Sequence, residues 1–144
     1  MSRSVAWLFA LLTLTVPAQA SDARVVLGEV SSQVVRTGVD YQAIVRLVPE
    51  AELSHLDLRP IPDGRRVIVS VSLVRLDTKA ASAGADATCR VSATLRNAKS
   101  GAIFATLEGQ ARATGGGARA AAEASAVLGA LHGMLARVPD ALRR

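Results

Sequence analysis

One cysteine and two histidines are the side chains of this sequence that could carry out nucleophilic or metal chemistry. Cys89 is the only cysteine, and His55 and His132 are the only histidines. A thiol becomes a nucleophile when a neighbouring base takes its proton, so an enzyme could be built on Cys89 with His132 as the base. A metal site needs several converging ligands, and the sequence offers neither histidine such a cluster. We predict no catalytic, cofactor-binding or metal-binding residue, with the Cys89–His132 pair as the alternative.

The residues around Cys89 favour a structural role for the thiol. Apolar and polar side chains alternate from Thr88 to Leu95, and successive side chains of a strand point to opposite faces. Cys89 then shares a dry face with Val91 and Leu95, whereas Thr88, Arg90, Ser92 and Thr94 form a polar face. A buried thiol behaves as a small hydrophobic group, and a single cysteine cannot form an internal disulfide. We therefore predict that Cys89 belongs to the core.

Other motifs that would carry chemistry are missing from the sequence. It contains no Gly-x-Ser-x-Gly, phosphate loop or dinucleotide fingerprint. Residues 115–117 are three glycines between a predicted strand and a predicted helix, but they lack the lysine of a phosphate loop and indicate a flexible joint. Asp57, Asp63, Asp77 and Asp86 fall in predicted turns, where aspartate is common because it bonds to the backbone.

Residues 1–20 have the pattern of a secretory signal peptide. A positive charge comes first, residues 5–16 form an apolar run, and Ala18-Gln19-Ala20 provides small residues for cleavage. The run is too short to span a hydrocarbon core of about 30 Å, and no cysteine near the cleavage point could carry a lipid. We predict a domain of residues 21–144 that is periplasmic or extracellular and has no transmembrane segment after cleavage.

The composition argues against a nucleic-acid partner. Lys and Arg number 17 against 12 Asp and Glu, but the arginines are scattered along the chain. Beyond residue 20 the only aromatic side chains are Tyr41 and Phe104. Surfaces that bind nucleic acid combine clustered cations with aromatic platforms, so we predict none here.

A β-hairpin from Ala87 to Thr114 is the clearest structural prediction. Both arms alternate apolar and polar residues, and residues 97–101 form a short turn that ends in Gly101, which can adopt a positive φ. Before it, residues 66–76 predict a long central strand with Val67, Val69, Val71 and Leu73 on one face and Ile68, Val74 and Leu76 on the other. Residues 77–86 are interpreted as a flexible link.

Helices are predicted on both sides of these strands. Residues 22–37 predict a strand or bent strand pair, with Val25 facing opposite to Val30. Asp40 then caps a helix that Pro49 either kinks or divides in two, the second part being residues 50–56, and residues 59–64 form a turn. The C-terminal helix is predicted over residues 118–138, ended by Pro139. Its apolar stripe is Ala120, Ala124, Val127, Leu128, Leu131, Leu135 and Val138, and Gly129 and Gly133 would allow close packing on the sheet.

This order of elements predicts an α+β domain. A mainly antiparallel sheet of about four strands would carry the long C-terminal helix and the shorter N-terminal helix on one face. The turn at residues 97–101 is too short for a parallel crossover, so a purely parallel sheet is not expected.

A resemblance rests on residues 66–77, on the hairpin at 88–109 and on the Ala-rich helix that follows. This half of the chain resembles small secreted proteins of unknown function from myxobacteria-like bacteria. More distantly, it is similar to the strand, hairpin and helix of the curli-secretion lipoprotein and penicillin-binding-protein activator group. The chain lacks the lipid-anchor cysteine of that group, and the resemblance implies no functional residues.

These observations favour a non-catalytic binding or adaptor domain of the bacterial cell envelope. The predicted signal, the polar sheet face and the lack of a catalytic constellation carry that interpretation. The expected partner is an envelope protein or polymer. The alternative is a small secreted enzyme with Cys89 as nucleophile and His132 as base.

Overall fold

The computed structural model describes residues 24–35, 39–56 and 65–144. The predicted signal peptide and the predicted turn at residues 59–64 lie outside this part of the chain. The elements, in order, are β1 (Val25–Ser32), α1 (Tyr41–His55), β2 (Val67–Ala81), β3 (Gly84–Asn97), β4 (Ile103–Gly115), α2 (Arg119–Leu135) and α3 (Val138–Leu142).

The four described strands form one sheet in the order β1-β2-β3-β4. The β2–β3 and β3–β4 pairs are antiparallel, as predicted, but β1 pairs with β2 in parallel. The sheet is therefore mixed, because α1 carries the chain back to the starting end of the sheet between the two strands. A crossover through a helix is the usual way to join parallel neighbours.

The β3–β4 hairpin confirms the predicted turn. The Asn97 side-chain oxygen accepts hydrogen bonds from the backbone N–H groups of Lys99 and Ser100, at 2.8 and 3.2 Å. Gly101 donates its N–H to the Asn97 carbonyl at 2.8 Å and has φ 71°. The positive φ is the conformation for which glycine was expected at this position.

The predicted flexible link at residues 77–86 is wrong. β2 and β3 stay paired up to Ala81 and Gly84, so the link is the end of a second, long hairpin. Gly84 has φ 137°, and a side chain there would collide with the carbonyl of Gly115. Small residues in this segment allow the close turn. The same small residues are typical of linkers, so the composition predicted a linker instead.

The described strands have three register shifts, and the two in β2 and β1 correct the predicted faces of those strands. The register shifts between Leu73 and Arg75 in β2, so Leu76 lies opposite Cys89 and is buried with the core instead of on the outer face. The register also shifts between Leu27 and Val30 in β1, which buries Val30 together with Val25. An inserted residue reverses the alternation of the side chains that follow it, and a strict period of two does not reveal it.

Helix α1 is a single helix of 15 residues, with Pro49 inside it. Neither a division at Pro49 nor a separate second helix is found. Its start agrees with the prediction, because the Asp40 carboxylate accepts the N–H of Ala43 at 3.1 Å. Pro49 is buried on the face that packs on the sheet, together with Tyr41, Val45 and Leu53.

The C-terminal helix ends earlier than predicted and is rotated. α2 stops at Leu135, and Pro139 lies in the first turn of α3, where its missing N–H removes no helical hydrogen bond. Ala120 and Leu128 are exposed. The buried face consists of Ala122, Glu123, Ala126, Val127, Ala130, Leu131, Met134 and Leu135. The abundant alanines fit either face, so they made the predicted stripe ambiguous.

Both long helices pack on one face of the sheet, and the core lies between the two layers. α2 covers β3 and β4, α1 covers β1 and β2, and the helices touch each other. Gly129 lets α2 pack closely on the sheet, as predicted, because an added Cβ would lie 3.1 Å from the Cβ of Ala111 on β4. Gly109 of β4 makes a still closer approach, since an added Cβ there would collide with the Ala130 carbonyl. Gly133 has no atom near its Cβ position. None of the helices in the described ranges is both long and apolar enough to cross a membrane.

Candidate functional site

The structure does not bring Cys89 and His132 together as a reactive pair. Cys89 is completely buried, as predicted, and burial raises the pKa of its thiol to about 12. The His132 side chain is 56% exposed, and its Nδ1 lies 3.2 Å from a carboxylate oxygen of Glu52 on α1. His55 is exposed at the end of α1. A thiol with so high a pKa carries almost no thiolate at neutral pH, which is the form that attacks.

Glu123 of α2 is the one buried charged residue among the described residues, and sequence reasoning missed it. Tyr41 donates its hydroxyl to one carboxylate oxygen at 2.5 Å, and Thr78 donates its hydroxyl to the other at 2.5 Å. Arg119, one turn earlier on α2, donates its Nε–H to the second oxygen at 2.9 Å. Tyr41 lies on α1, Thr78 on β2 and Arg119 on α2 itself, so the carboxylate links α1 and β2 to α2.

This network has a structural role in our interpretation. Burial alone would raise the pKa of Glu123, but the hydrogen bonds from Thr78, Tyr41 and Arg119, with the charge of Arg119, lower it to about 2. A carboxylate that stays ionised at every physiological pH is a poor proton carrier, because a general base works best with a pKa near the working pH.

The outer face of the sheet, which neither α1 nor α2 covers, is polar across its middle and has an apolar pair, Val26 and Ile68, near one end. Ser70 of β2 pairs with Thr94 of β3, which pairs with Thr106 of β4. Two residues further along β2, the hydroxyl of Ser72 accepts a hydrogen bond from Ser31 of β1 at 2.9 Å. These rows of hydroxyl groups correspond to the polar face that the alternation around Cys89 predicted.

A shallow cleft of about 200 Å³ lies on this face, beside the bulge of β2. Its walls are Arg75 and Asp77 of β2, Thr88 and Arg90 of β3, and Gln110 of β4. Because of the bulge, Arg75 pairs with Arg90, which pairs with Gln110. The structure thus places Asp77 in a strand beside charged neighbours and not in the predicted turn.

The charges around the cleft are compensated except at Arg90. Arg75 holds Asp77 at 2.5 Å, and Arg112 holds Asp86 at 2.5 Å. Hydrogen bonds from Arg112 and Thr114 lower the pKa of Asp86. Asp86, too, lies in a strand and not in a turn. Arg90 is exposed and has no hydrogen-bond or ion-pair partner among the residues that the structure describes. It therefore offers free donors beside the hydroxyl of Thr88 and the amide of Gln110.

In the described ranges, no group of three or more His, Cys, Asp or Glu side chains converges. Asp57 and Asp63 lie outside those ranges. Gly115 ends β4, and residues 116–117 lead into α2 without a phosphate-loop lysine. The donors of the cleft are guanidinium, amide and hydroxyl groups, which suit an anionic or hydroxylated ligand better than a cation.

Comparison with solved structures gives a distant structural likeness. The chain is similar to a crystal structure described as a "putative lipoprotein" from Caulobacter crescentus CB15, with 19% sequence identity and a TM-score of 0.44. The alignment covers 84% of this chain and 88% of that one. No family model and no curated protein matches the chain, so the resemblances drawn from the sequence have no support there. The likeness is too distant to assign a function.

Proposed function

We propose that the protein is an exported, non-catalytic binding domain of the bacterial cell envelope and that it takes its partner on the outer face of the sheet. The observation that carries this proposal is the unpaired Arg90 in the cleft with Thr88 and Gln110. A free guanidinium on a rigid strand is a ready donor for carboxylate or phosphate groups.

The chemistry of this face favours an acidic partner rich in oxygen atoms. Arg75 and Arg112 are engaged by the two neighbouring acids, so Arg90 contributes the excess positive charge. The rows of Ser and Thr hydroxyls beside the cleft can each donate and accept, which suits a polymer with many hydroxyl groups. The signal-like residues 1–20 support the envelope as the location in which such a polymer is met.

The test measures binding of the purified protein to an acidic polysaccharide, alginate, with neutral dextran as the comparison. We expect alginate to bind and dextran not to bind. Arg90→Glu reverses the free charge and should weaken alginate binding at least about tenfold, because a hydrogen bond to a charged group contributes about 1.5–3 kcal/mol.

A matched variant separates a site from general attraction by net charge. Arg46 is an exposed arginine of α1, on the helical layer, and Arg46→Glu changes the net charge by the same amount. We expect Arg46→Glu to retain binding. Equal losses in the two variants, or no loss in either, would contradict a site at Arg90. A pull-down from envelope extract with the same three proteins then identifies natural partners.

The alternative enzyme is tested at its nucleophile. Rapid labelling of Cys89 by a thiol reagent in the folded protein would support the pair with His132. We expect protection until the protein unfolds, because the thiol is completely buried.

A further inference from the structure

The outer edge of β4 presents backbone groups that no other described strand pairs. β4 is the last strand of the sheet, and the carbonyl of Glu108 accepts a hydrogen bond from Nη1 of Arg137 at 3.0 Å. That carbonyl therefore points away from β3. In an antiparallel pair the N–H and C=O of one residue point to the same side, and this side alternates along the strand. Thr106 and Gln110 consequently present their N–H and C=O groups to the same free edge.

A groove of about 390 Å³ runs beside this edge. One wall is the start of β4, residues 104–107, and the other is formed by Arg137, Asp140, Ala141 and Arg144 in and around α3. Phe104 provides most of the exposed apolar surface, and its ring lies 4.4 Å from the guanidinium carbon of Arg65, whereas Leu107 and Ala141 are largely buried beneath the groove. Arg137 and Arg144 provide charge. An edge strand next to a helix, with apolar and charged groups between them, is a geometry that receives an extended peptide as an additional strand.

The groove has an excess of positive charge on the wall formed by residues in and around α3. Asp140 is paired with Arg143, whose Nη1 lies 3.2 Å from its carboxylate. Within the described part of the chain, no acidic side chain pairs with Arg137 or Arg144 of the groove. Arg137 also donates a hydrogen bond to the Glu108 carbonyl. An added strand that pairs with residues 104–107 would therefore reach the Arg137 guanidinium at residue 108 and could not continue along β4.

We propose that this groove binds the C-terminal residues of an extended peptide from another protein, with the peptide backbone pairing with Thr106 and the terminal carboxylate held by Arg137 and Arg144. The closed end at Arg137 favours a chain terminus over a side-chain carboxylate, because the peptide has to stop there. It also disfavours continuous β4–β4 pairing of two copies, which would displace Arg137 from the edge. The groove shares Thr106 with the outer face of the sheet but does not include Arg90, so this proposal does not depend on the function proposed above.

The experiment selects random octapeptides, displayed with free C-termini, on the purified protein. The best peptide is then synthesised with a free and with an amidated C-terminus, and its binding is measured by calorimetry. We expect amidation to weaken binding at least about tenfold, because it removes a charge-assisted hydrogen bond. Arg137→Gln and Arg144→Gln should each weaken the free peptide and have little effect on the amidated one. Arg46→Gln, on the exposed side of α1, should leave binding unchanged.

Hydrogen exchange distinguishes strand addition from binding elsewhere. The bound peptide should slow exchange of the Thr106 amide, which points to the free edge, and leave the already paired amide of Leu107 unchanged. No enriched peptide, equal affinity of the free and amidated forms, or protection outside residues 104–108 would each overturn the proposal. Selection of internal acidic residues over the terminus, or self-association of the protein in place of peptide binding, would overturn it as well.

Discussion

Glu123 shows how one residue can organise two layers of this protein. A buried carboxylate without partners is costly, but here donors from α1, β2 and α2 converge on its two oxygens. Tyr41, which provides the donor from α1, is itself buried, so the same contact fixes the start of that helix against the sheet. The network stabilises this arrangement only while Glu123 is ionised.

The first prediction concerns the dependence of stability on acid. The hydrogen bonds to Glu123 lower its pKa to about 2 in the folded protein, against an ordinary value of 4.5 for the unfolded chain. The folded state therefore gains stability from ionisation above about pH 4.5, and this gain is lost as the pH falls toward 2. Glu123→Gln should lower the free energy of unfolding by about 2–3 kcal/mol at pH 7 and flatten its decline in acid. Urea unfolding between pH 2 and pH 7 measures both effects.

A neighbouring variant provides the comparison for this measurement. Glu108 is exposed on β4 and only its backbone carbonyl has a described partner, so Glu108→Gln should leave the acid decline unchanged. An equally steep decline in Glu123→Gln and the unmodified protein would mean that other carboxylates control the acid sensitivity.

For single residues, the sequence predicted which side chains are exposed better than it predicted which side chains contact each other. The alternation around Cys89 correctly placed the thiol inside and Arg90 outside, because β3 follows the period of two from Gly84 to Arg96. It could not identify Glu123, since a glutamate in an Ala-rich helix normally faces water. Only the approach of Tyr41 and Thr78, both distant in the sequence, turns this position into a buried site.

Among the elements, the bulges explain most of the differences between prediction and structure. A strand with one inserted residue exchanges its faces, so Leu76 and Val30 were assigned to the wrong side. The bulge in β2 also brings Arg75 opposite Arg90 and so shapes the cleft. The bulge in β2, which the alternating sequence pattern does not reveal, is therefore part of the candidate site.

The second prediction concerns the contact between α2 and β4. An added Cβ at Gly109 would collide with the Ala130 carbonyl and lie 2.8 Å from the Cβ of Met134, so the helix would have to move. We expect Gly109→Ala to lower the free energy of unfolding by about 1–3 kcal/mol, as overpacking does in other cores. Thermal and urea unfolding provide the measurement.

Gly133 is the matched control. It is a residue of α2, and no atom lies close to its Cβ position. Gly133→Ala should be neutral or raise stability by up to about 1 kcal/mol, since alanine favours the helix. If Gly133→Ala were the more damaging change, the close approach would be made by the helix glycines and not by the strand.

For the molecule as a whole, the α+β class, the four strands and the placement of the helices on one face were readable from the sequence. The parallel pairing of β1 was not read, although a strand, a helix and a strand in succession is the pattern of such a pair. The long hairpin between β2 and β3 was hidden for another reason. Its Ala, Ser and Gly residues have low strand propensity, and pairing with a neighbour is what holds them extended.

The third prediction tests the location of the protein. Residues 1–20, fused to a reporter that is active only outside the cytoplasm, should direct its export, and the mature chain should begin at Ser21. N-terminal sequencing of the purified protein measures the cleavage point. A chain that still begins with Met1 would contradict both the proposed compartment and the proposed function.

The parallel pairing of β1 has a consequence for the order in which the protein folds. β2, β3 and β4 follow one another through tight turns, so their contacts are local and can form early. β1 has to wait for a partner that comes only after α1, because Val25 pairs with Val67. A chain delivered through a membrane with its N-terminus first would present β1 before any other strand. Its exposed valines are then the segment for which a holding chaperone is most useful.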